Sequence, residues 1–258
     1  MIFIQPSINP IIISIGFLDI RWYSLAYIAA FILGSIFLKK LNKKSYGFLS
    51  NTQIDTFFIW SVLGVIIGGR IGYVLFYQTN LFFSKPLYIF EIWKGGMSFH
   101  GGLIGMIFSI YFFSKKNNIK FFYLADLVSL VAPIGLFLGR ISNFINTELY
   151  GRITEFPLAI IYPKIDSNPR HPSQLYESLF EGIFLFIILL IYFNRKPKEY
   201  SIGNISALFL IFYSLFRFLI EYLREPDYQL GLFYSHFSMG QLLCIPFLLA
   251  GLIILFRK

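Results

Sequence analysis

The stretch Ile205-Ser-Ala-Leu-Phe-Leu-Ile-Phe-Tyr-Ser-Leu-Phe216 is apolar enough for a membrane-spanning helix, yet it continues into Arg217, Glu221 and Arg224. Offsets of four and three residues place these charged side chains on one face of a helix. An arginine in hydrocarbon costs about 2.5–3.5 kcal/mol on insertion scales, so such residues usually face a polar interior. The stretch therefore predicts a membrane protein with a buried charged site, and a phosphate-like anion is the first candidate ligand.

The composition of the whole chain supports this interpretation. Of the 258 residues, 57% are hydrophobic and only 14% are charged, which is typical of polytopic membrane proteins. The formal charge is +9, but most lysines lie in short clusters between apolar runs, so we expect no nucleic-acid partner. The single Cys244 excludes an internal disulfide, and the three histidines are too far apart for a standard zinc pattern. We therefore expect neither a metal nor a cofactor.

Seven apolar segments are long enough, or nearly so, to cross a bilayer. They run over Ile20–Phe37, Ile54–Tyr77, Phe99–Phe113, Phe122–Phe144, Ser173–Phe193, Ile202–Leu223 and Ser238–Phe256. Basic clusters follow the first, third, fifth and seventh segments, at Lys39 to Lys44, Lys115 to Lys120, Arg195 to Lys198, and Arg257-Lys258. By the positive-inside rule, this alternation places the N-terminus outside and the C-terminus in the cytoplasm. We predict an all-α polytopic membrane protein with seven transmembrane helices.

The outward connections differ in character from the basic inner ones. They lie near residues 78–98, 146–172 and 225–237, and they contain turn formers and most of the remaining polar residues. No linker separates a second domain. We therefore expect one integral-membrane domain over residues 1–258, with its chemistry in the outer half of the membrane.

A histidine stands at the start of the third segment, within Gly95-Gly-Met-Ser-Phe-His100-Gly-Gly-Leu-Ile-Gly105. His100 therefore lies near a helix N-terminus, where free backbone N–H groups and the helix dipole favour an anion. Gly101 and Gly105 are spaced to let another backbone approach closely. Two interpretations of His100 stay open: a base for proton abstraction, or an interfacial residue that only caps the helix.

A second polar group closes the fourth segment, where Arg140 and Asn143 share one helical face. A cation beside an amide suits an anionic ligand, and residues 146–152 add an acid, a second amide and a glycine break. The alternative is structural: Arg140 pairs with Glu148 or Glu221 and braces the helix bundle.

Three further residues are candidates for binding. His171, in the stretch Arg170-His-Pro-Ser-Gln-Leu-Tyr-Glu177, precedes the helix-start residue Pro172, so it either contacts a ligand or only orients the loop. Arg70 lies in the outer half of the second segment and belongs with the other arginines. Tyr23 begins the first segment, where an aromatic membrane anchor is the default interpretation.

Together these motifs resemble those of the bacterial prolipoprotein diacylglyceryl transferases. The matching stretches are Trp22-Tyr23, Gly68 to Tyr73, Gly95 to Gly102, Gly139 to Arg152, Arg170 to Glu177, and Arg217 to Asp227. They occur in the family's order over nearly the whole chain. The segment between Gly151 and Arg170 is shorter than in some members, which leaves the docking surface for a protein substrate open.

The resemblance implies a seven-helix enzyme of the bacterial inner membrane, with a periplasmic N-terminus and its active site toward the periplasm. It implies transfer of the diacylglyceryl group of phosphatidylglycerol to the lipobox cysteine thiol of a preprolipoprotein signal peptide, with release of glycerol phosphate. The implied partners are phosphatidylglycerol, the preprolipoprotein and the lipid bilayer. We expect the enzyme to act as a monomer.

The resemblance also implies roles for individual residues. By motif position, Arg140 resembles the family's phosphatidylglycerol-binding arginine, and His100 resembles its essential histidine. Arg217 with Glu221 resembles its second essential polar pair, so these four residues are the predicted catalytic set. The predicted binding positions are Tyr23, Arg70, Asn143, Asn146, Glu148, Gly151, His171 and Arg224.

Two functions of other classes stay open on the residues alone. A transporter or flippase for an anionic lipid would line a pathway with the same arginines. It predicts a polar route to the cytoplasmic side and an inverted repeat, but the inner halves of the segments hold few ionisable groups and no repeat is visible. A non-catalytic scaffold braced by salt bridges would leave the glycine-framed His100 unexplained.

Overall fold

The computed structural model describes residues 3–15, 18–195, 197, 199–226, 231–233 and 237–257. Lys196, Lys198 and Lys258 of the basic clusters, and Asp227 of the last matching stretch, lie outside these residues. The described fold is mostly helical. Its helices are α1 Trp22–Lys44, α2 Asn51–Tyr77, α3 Thr79–Ser84, α4 Phe99–Lys116, α5 Phe121–Asn146, α6 Ser173–Arg195, α7 Asn204–Ile220 and α8 Met239–Phe256.

A helix forms at each of the seven predicted apolar segments. Five of them, α1, α2, α5, α6 and α8, are long and apolar enough to cross a membrane. The chain is therefore a multi-pass membrane protein. Helix α7 has only 17 residues, and glycines, serine and two terminal lysines lower the hydropathy of α4. The count of seven crossings and the orientation of the termini stay predictions.

Short strands accompany the helices and were not predicted. Strand β1, Phe3–Ile4, pairs in parallel with β4, Ile160–Ile161, which pairs antiparallel with β5, Pro169–Arg170. Strands β2, Ile11–Ile15, and β3, Leu18–Arg21, form an antiparallel pair before α1. Strands β6, Leu232–Phe233, and β7, Phe237–Ser238, pair before α8.

The chain divides into two compact units, one made of Met1–Leu41 with Asp126–Lys258 and the other of Asn42–Ala125. In the first unit, the fully buried carboxylate of Asp126 on α5 accepts hydrogen bonds from the Gly203 and Ser206 backbone nitrogens at 2.7 Å. It therefore caps the start of α7. The predicted single domain stays a prediction.

In the second unit, glycines let α2 and α4 pack backbone against backbone. A Cβ atom on Gly72 would lie 2.8 Å from the Cα of Gly101, and one on Gly68 would lie 2.9 Å from the Cα of Gly105. Such distances exclude any side chain without a shift of the helices. The predicted close approach of a backbone at Gly101 and Gly105 is confirmed.

Candidate active site

Two arginines of the first unit, the buried Arg217 and the partly exposed Arg140, meet at a shared glutamate. Arg140, near the end of α5, places Nη1 3.0 Å from Glu177 Oε2 and donates from Nη2 to Glu181 Oε2 at 3.1 Å. Arg217, near the end of α7, donates from Nη1 to Glu177 Oε1 and lies 3.8 Å from Glu181 Oε1. The two oxygens of Glu177 therefore contact two different guanidiniums.

The chain of ion pairs continues beyond α7. Arg217 Nη2 lies 2.7 Å from Glu221 Oε2, and Arg224 Nη1 lies 3.7 Å from the same oxygen. The hydroxyl of Ser238, the residue before α8, donates to Glu221 Oε1 at 2.9 Å. We call the set of Arg140, Glu177, Glu181, Arg217, Glu221 and Arg224 the ion-pair network.

The ion-pair network is buried and balanced in charge. Glu177 and Glu181 are 0% exposed, whereas Arg217, Glu221 and Arg224 are 8%, 6% and 7% exposed. Three arginines face three glutamates, so no net charge remains in the cluster. Pairing of this kind makes the burial of charged groups tolerable. In the described part of the chain, no three His, Cys, Asp or Glu side chains are grouped to hold a metal ion.

A local widening of α6 brings its glutamates to α5. The helix is α-helical at Ser173–Glu177, π-helical at Ser178–Phe184 and α-helical again from Leu185. π-Helical turns inside longer helices are frequent at functional sites. A Cβ atom on Gly182 would lie 2.7 Å from Phe137 Cβ on α5. Helices α5 and α6 therefore approach closely next to the ion pairs of Arg140 with Glu177 and Glu181.

Several sequence predictions for this cluster are tested by the contacts. The predicted proximity of Arg217, Glu221 and Arg224 is confirmed by their ion pairs, but the single helical face is wrong, because α7 ends at Ile220 and Arg224 pairs with Gly151 in a β-bridge. The structural alternative for Arg140 named the wrong partners, because the structure pairs it with Glu177 and Glu181 instead. Sequence reasoning did not single out these two glutamates. Their offset of four residues within an apolar segment was the available signal, the same one that identified Arg217 and Glu221.

A second polar group follows α5. The Glu148 carboxylate accepts hydrogen bonds from Asn143 Nδ2 at 3.0 Å and from Asn146 Nδ2 at 3.3 Å. The Glu148 backbone carbonyl accepts from Gln174 Nε2 of α6 at 2.6 Å. Asn143, Asn146 and Glu148, three of the predicted binding residues, are therefore brought together. Asn143 contacts Glu148 and not Arg140, although the two residues share a helical face.

Glycine is required at position 151. Its backbone nitrogen donates to the His171 carbonyl at 2.9 Å, and a Cβ atom there would lie 2.6 Å from His171 Cβ and 2.7 Å from the Leu223 carbonyl. Arg152 donates from its backbone nitrogen to the same Leu223 carbonyl and from Nε to the Arg224 carbonyl, both at 2.9 Å. At Gly151, the segment after α5 therefore packs against the segment before α6 and the segment after α7.

His171 and its neighbours belong to this junction. The His171 Nδ1 atom lies 3.4 Å from the Tyr176 hydroxyl, and partial burial lowers the pKa of His171, which keeps the imidazole neutral at neutral pH. Arg170 donates to the Asp166 carboxylate at 2.6 Å, and this hydrogen bond lowers the pKa of Asp166 to about 2. These contacts give His171 a role in orienting the loop, and a direct role in binding stays a prediction.

Tyr23, also in the first unit, lies in the first turn of α1. Its ring centroid is 5.1 Å from that of Tyr27. The side chain is half-buried, and its predicted role in binding stays a prediction.

Arg70 belongs to the second unit and is 2% exposed. Its Nη2 donates to the Tyr88 carbonyl at 2.8 Å, its Nε to the Ile89 carbonyl at 3.2 Å, and its Nη1 to the Gly95 carbonyl at 2.5 Å. The guanidinium also lies 4.7 Å from the Tyr88 ring centroid. Arg70 therefore fixes the connection between α3 and α4, and its predicted contact with a ligand stays a prediction.

His100 lies in the first turn of α4, as predicted. Ser98 caps this helix, because its hydroxyl accepts a hydrogen bond from the Gly101 nitrogen at 3.2 Å. The His100 ring, half-buried, makes an edge contact with Phe99 at 5.5 Å between centroids. The cap is therefore supplied by Ser98, and the interpretation of His100 as the capping residue is wrong.

The comparisons with known proteins agree with these motifs. The family model described as prolipoprotein diacylglyceryl transferase matches residues 10–257. Several relatives are named phosphatidylglycerol–prolipoprotein diacylglyceryl transferase. The one from Rickettsia typhi is 49% identical over 248 residues, 96% of each chain. One from Vibrio parahaemolyticus is 46% identical over 250 residues, 97% of this chain and 90% of the relative. One from Aeromonas hydrophila is 48% identical over 246 residues, 95% of this chain and 88% of the relative. The chain therefore belongs to the prolipoprotein diacylglyceryl transferase family.

Proposed function

We propose that this chain transfers the diacylglyceryl group of phosphatidylglycerol to the lipobox cysteine thiol of a preprolipoprotein, the first step of lipoprotein maturation. A sulfur–carbon bond forms at the glycerol carbon of the lipid, and the bond from that carbon to the phosphate oxygen breaks. The thiol loses its proton, and glycerol phosphate leaves with the bonding electron pair and a proton. Family membership favours this function over a transporter or flippase.

The observation that carries the proposal is the pair of guanidiniums, those of Arg140 and Arg217, joined through the fully buried Glu177. Negative charge grows on the departing phosphate, and preorganised cationic donors stabilise such charge. Each terminal guanidinium nitrogen carries two N–H groups, so the ion pairs of Arg140 and Arg217 leave donors for phosphate oxygens. Glu221 contacts the other terminal nitrogen of Arg217. We assign Arg140 and Arg217 to leaving-group stabilisation, and Glu221 to orienting Arg217.

The other predicted residues complete the proposal. We assign His100 to removal of the thiol proton, and we assign binding of the two substrates to Tyr23, Arg70, Asn143, Asn146, Glu148, Gly151, His171 and Arg224. The enzyme would act as a monomer in the bacterial inner membrane, as a single functional domain with its site toward the periplasm.

Purified protein tests the function directly. It is mixed with phosphatidylglycerol and a lipobox peptide, and the peptide is then weighed by mass spectrometry. A mass gain of one diacylglyceryl group on the cysteine supports the transferase, and a Cys→Ser peptide is the control. An unmodified peptide with properly inserted protein would contradict it.

We further propose seven crossings with a periplasmic N-terminus. Basic residues occupy the last turns of α1, α4 and α6, which supports a cytoplasmic end for each of these helices. In a Cys244→Ala background, single cysteines at the exposed Lys43 and Lys115 should react with a membrane-impermeant thiol reagent only after permeabilisation. Cysteines at the exposed Ser84 and Ser167 should react in intact cells.

The cysteine at Lys115 is the decisive one, because it lies at the end of the short helix α4. If α4 does not cross, Lys115 lies on the same side as Ser84. Labelling of both positions in intact cells would therefore contradict the seven-crossing topology.

Replacement of His100 by glutamine should lower turnover far more than phosphatidylglycerol binding. General bases contribute typically about 10²–10⁴-fold, so we expect a loss of turnover in that range. Raising the pH should partly restore the variant, because the substrate thiol, with an ordinary pKa of about 8.5, ionises unaided. Turnover is measured from pH 6 to 9 with wild-type protein as the control. A flat response of the variant would favour a binding role for His100.

A further inference from the structure

We propose that Glu177 and Glu181 are positioning residues that set the separation and orientation of the Arg140 and Arg217 guanidiniums. The proposal rests on the proposed function, because it assigns these glutamates to the same reaction. They act through the arginines and are not themselves placed in contact with substrate.

The geometry of Glu177 is the first reason. Its Oε2 atom lies 3.0 Å from Arg140 Nη1, and its Oε1 atom accepts from Arg217 Nη1. A single rigid carboxylate group therefore joins one guanidinium from α5 to another from α7. The distance between the two cations is then fixed by the carboxylate, and neither arginine can turn toward lipid without breaking an ion pair.

The orientation of each guanidinium is fixed at a second point. Arg140 Nη2 donates to Glu181 at 3.1 Å, and Arg217 Nη2 lies 2.7 Å from Glu221. Because a guanidinium is planar, contacts at both terminal nitrogens determine the direction of its plane. Catalytic groups held in this way stabilise developing charge without reorganisation at the moment of reaction.

The backbone of α6 supports this assignment. Glu177 directly precedes the π-helical stretch Ser178–Phe184 and Glu181 lies within it. The Ser178 hydroxyl donates to the Phe137 carbonyl of α5 at 3.4 Å. With Gly182 against Phe137, α6 and α5 touch at two points within one turn of Arg140. Apolar residues of similar volume often stabilise a fold as well as buried ion pairs do. Stability alone therefore does not require two fully buried carboxylates at this position.

The positioning role predicts that loss of either glutamate lowers kcat without raising the KM for phosphatidylglycerol. Each glutamate compensates the positive charge that attracts an anionic lipid, so its removal should leave the KM for phosphatidylglycerol unchanged or lower. The same removal frees a guanidinium to rotate, and small misplacement of a reacting group can lower the rate by about 10²-fold. A merely structural glutamate would lower only the amount of folded enzyme.

The test uses Glu177→Gln in the full-length protein, with the amount of inserted, folded protein measured for each variant. We expect kcat per folded molecule to fall by about 10²-fold or more without an increase in KM for phosphatidylglycerol. Glu181→Gln should also lower kcat without raising KM, but by a smaller factor, because Arg140 keeps its contact with Glu177. If Glu177→Gln does not fold, the Glu181→Gln variant decides the question alone.

Asp126→Asn is the matched control, since Asp126 is also a fully buried carboxylate in the first unit, and its hydrogen bonds among the described residues go to the start of α7. It should lower thermal stability and leave kcat and KM per folded molecule within two-fold of wild type. The proposal is overturned if the glutamine variants also keep kcat within two-fold of wild type, or if their KM rises in step with the loss of kcat. Absence of transfer by wild-type protein would instead contradict the proposed function.

Discussion

Replacement of Arg140 by lysine is expected to lower turnover with phosphatidylglycerol by about 10²–10³-fold, the range for loss of one preorganised donor. The lysine keeps the positive charge, but its single nitrogen cannot hold Glu177 and Glu181 together as the two terminal nitrogens of Arg140 do. It also lacks the planar fork that binds two phosphate oxygens at once. Replacement by alanine should abolish transfer.

The measurement is kcat and KM for phosphatidylglycerol per folded molecule, with inserted protein quantified separately. Arg21→Lys is the control, because the Arg21 side chain is 57% exposed and its only described ion pair, to Asp19, spans 3.9 Å. The control should keep wild-type turnover. Near-normal turnover of Arg140→Lys would show that planar recognition of phosphate by this residue is wrong.

Removal of Arg217 is expected to be at least as damaging as the change at Arg140, and its coupling to Glu221 should be visible in a double-mutant cycle. Arg217→Gln deletes a cation bonded to both Glu177 and Glu221, so we expect turnover to fall by about 10²-fold or more. Glu221→Gln should lose less, because Glu177 still holds the other terminal nitrogen of Arg217.

The combined variant should lose much less than the product of the two single losses, since Glu221 acts through Arg217. Turnover of the wild type, both single variants and the double variant gives this coupling. Ser238→Ala removes the hydroxyl donor to Glu221 and also the cap that this hydroxyl gives the Gln241 nitrogen at the start of α8. It should lower stability but have a small effect on turnover per folded molecule. Losses that simply multiply would show that the two residues act independently, and the orienting role of Glu221 would be dropped.

The helices could be predicted from the sequence because their signals are local. Hydropathy located the helices of the seven apolar segments but not the short α3, and the spacing of Gly101 and Gly105 predicted the close approach of another backbone, which is that of α2. The proximity of Arg217, Glu221 and Arg224 followed from their spacing, although α7 ends at Ile220 and only Arg217 belongs to it. The short strands escaped prediction, since strands of two to five residues carry too few side chains for a clear alternation.

The partners of the arginines could not be predicted, because they depend on how distant helices pack. The contacts of Arg140 with Glu177 and Glu181 join residues about forty positions apart. They also depend on a π-helical turn, which leaves no periodic pattern in an apolar segment. Arg70 illustrates the same limit: an arginine in an apolar segment suggests a ligand, yet carbonyl groups of the following connection accept from it in the structure.

The order of charges along the chain bears on how the protein is made. Helix α6 carries two carboxylates, and a charged side chain is costly when it enters the hydrocarbon of a membrane alone. The preceding helix, α5, brings the countercharge of Arg140, while Arg217 of α7 pairs with Glu221, the residue that follows the helix. We therefore expect α5 and α6 to leave the translocon together as a hairpin during synthesis. Arg140 would then serve first as the residue that lets α6 enter the membrane, long before any substrate arrives.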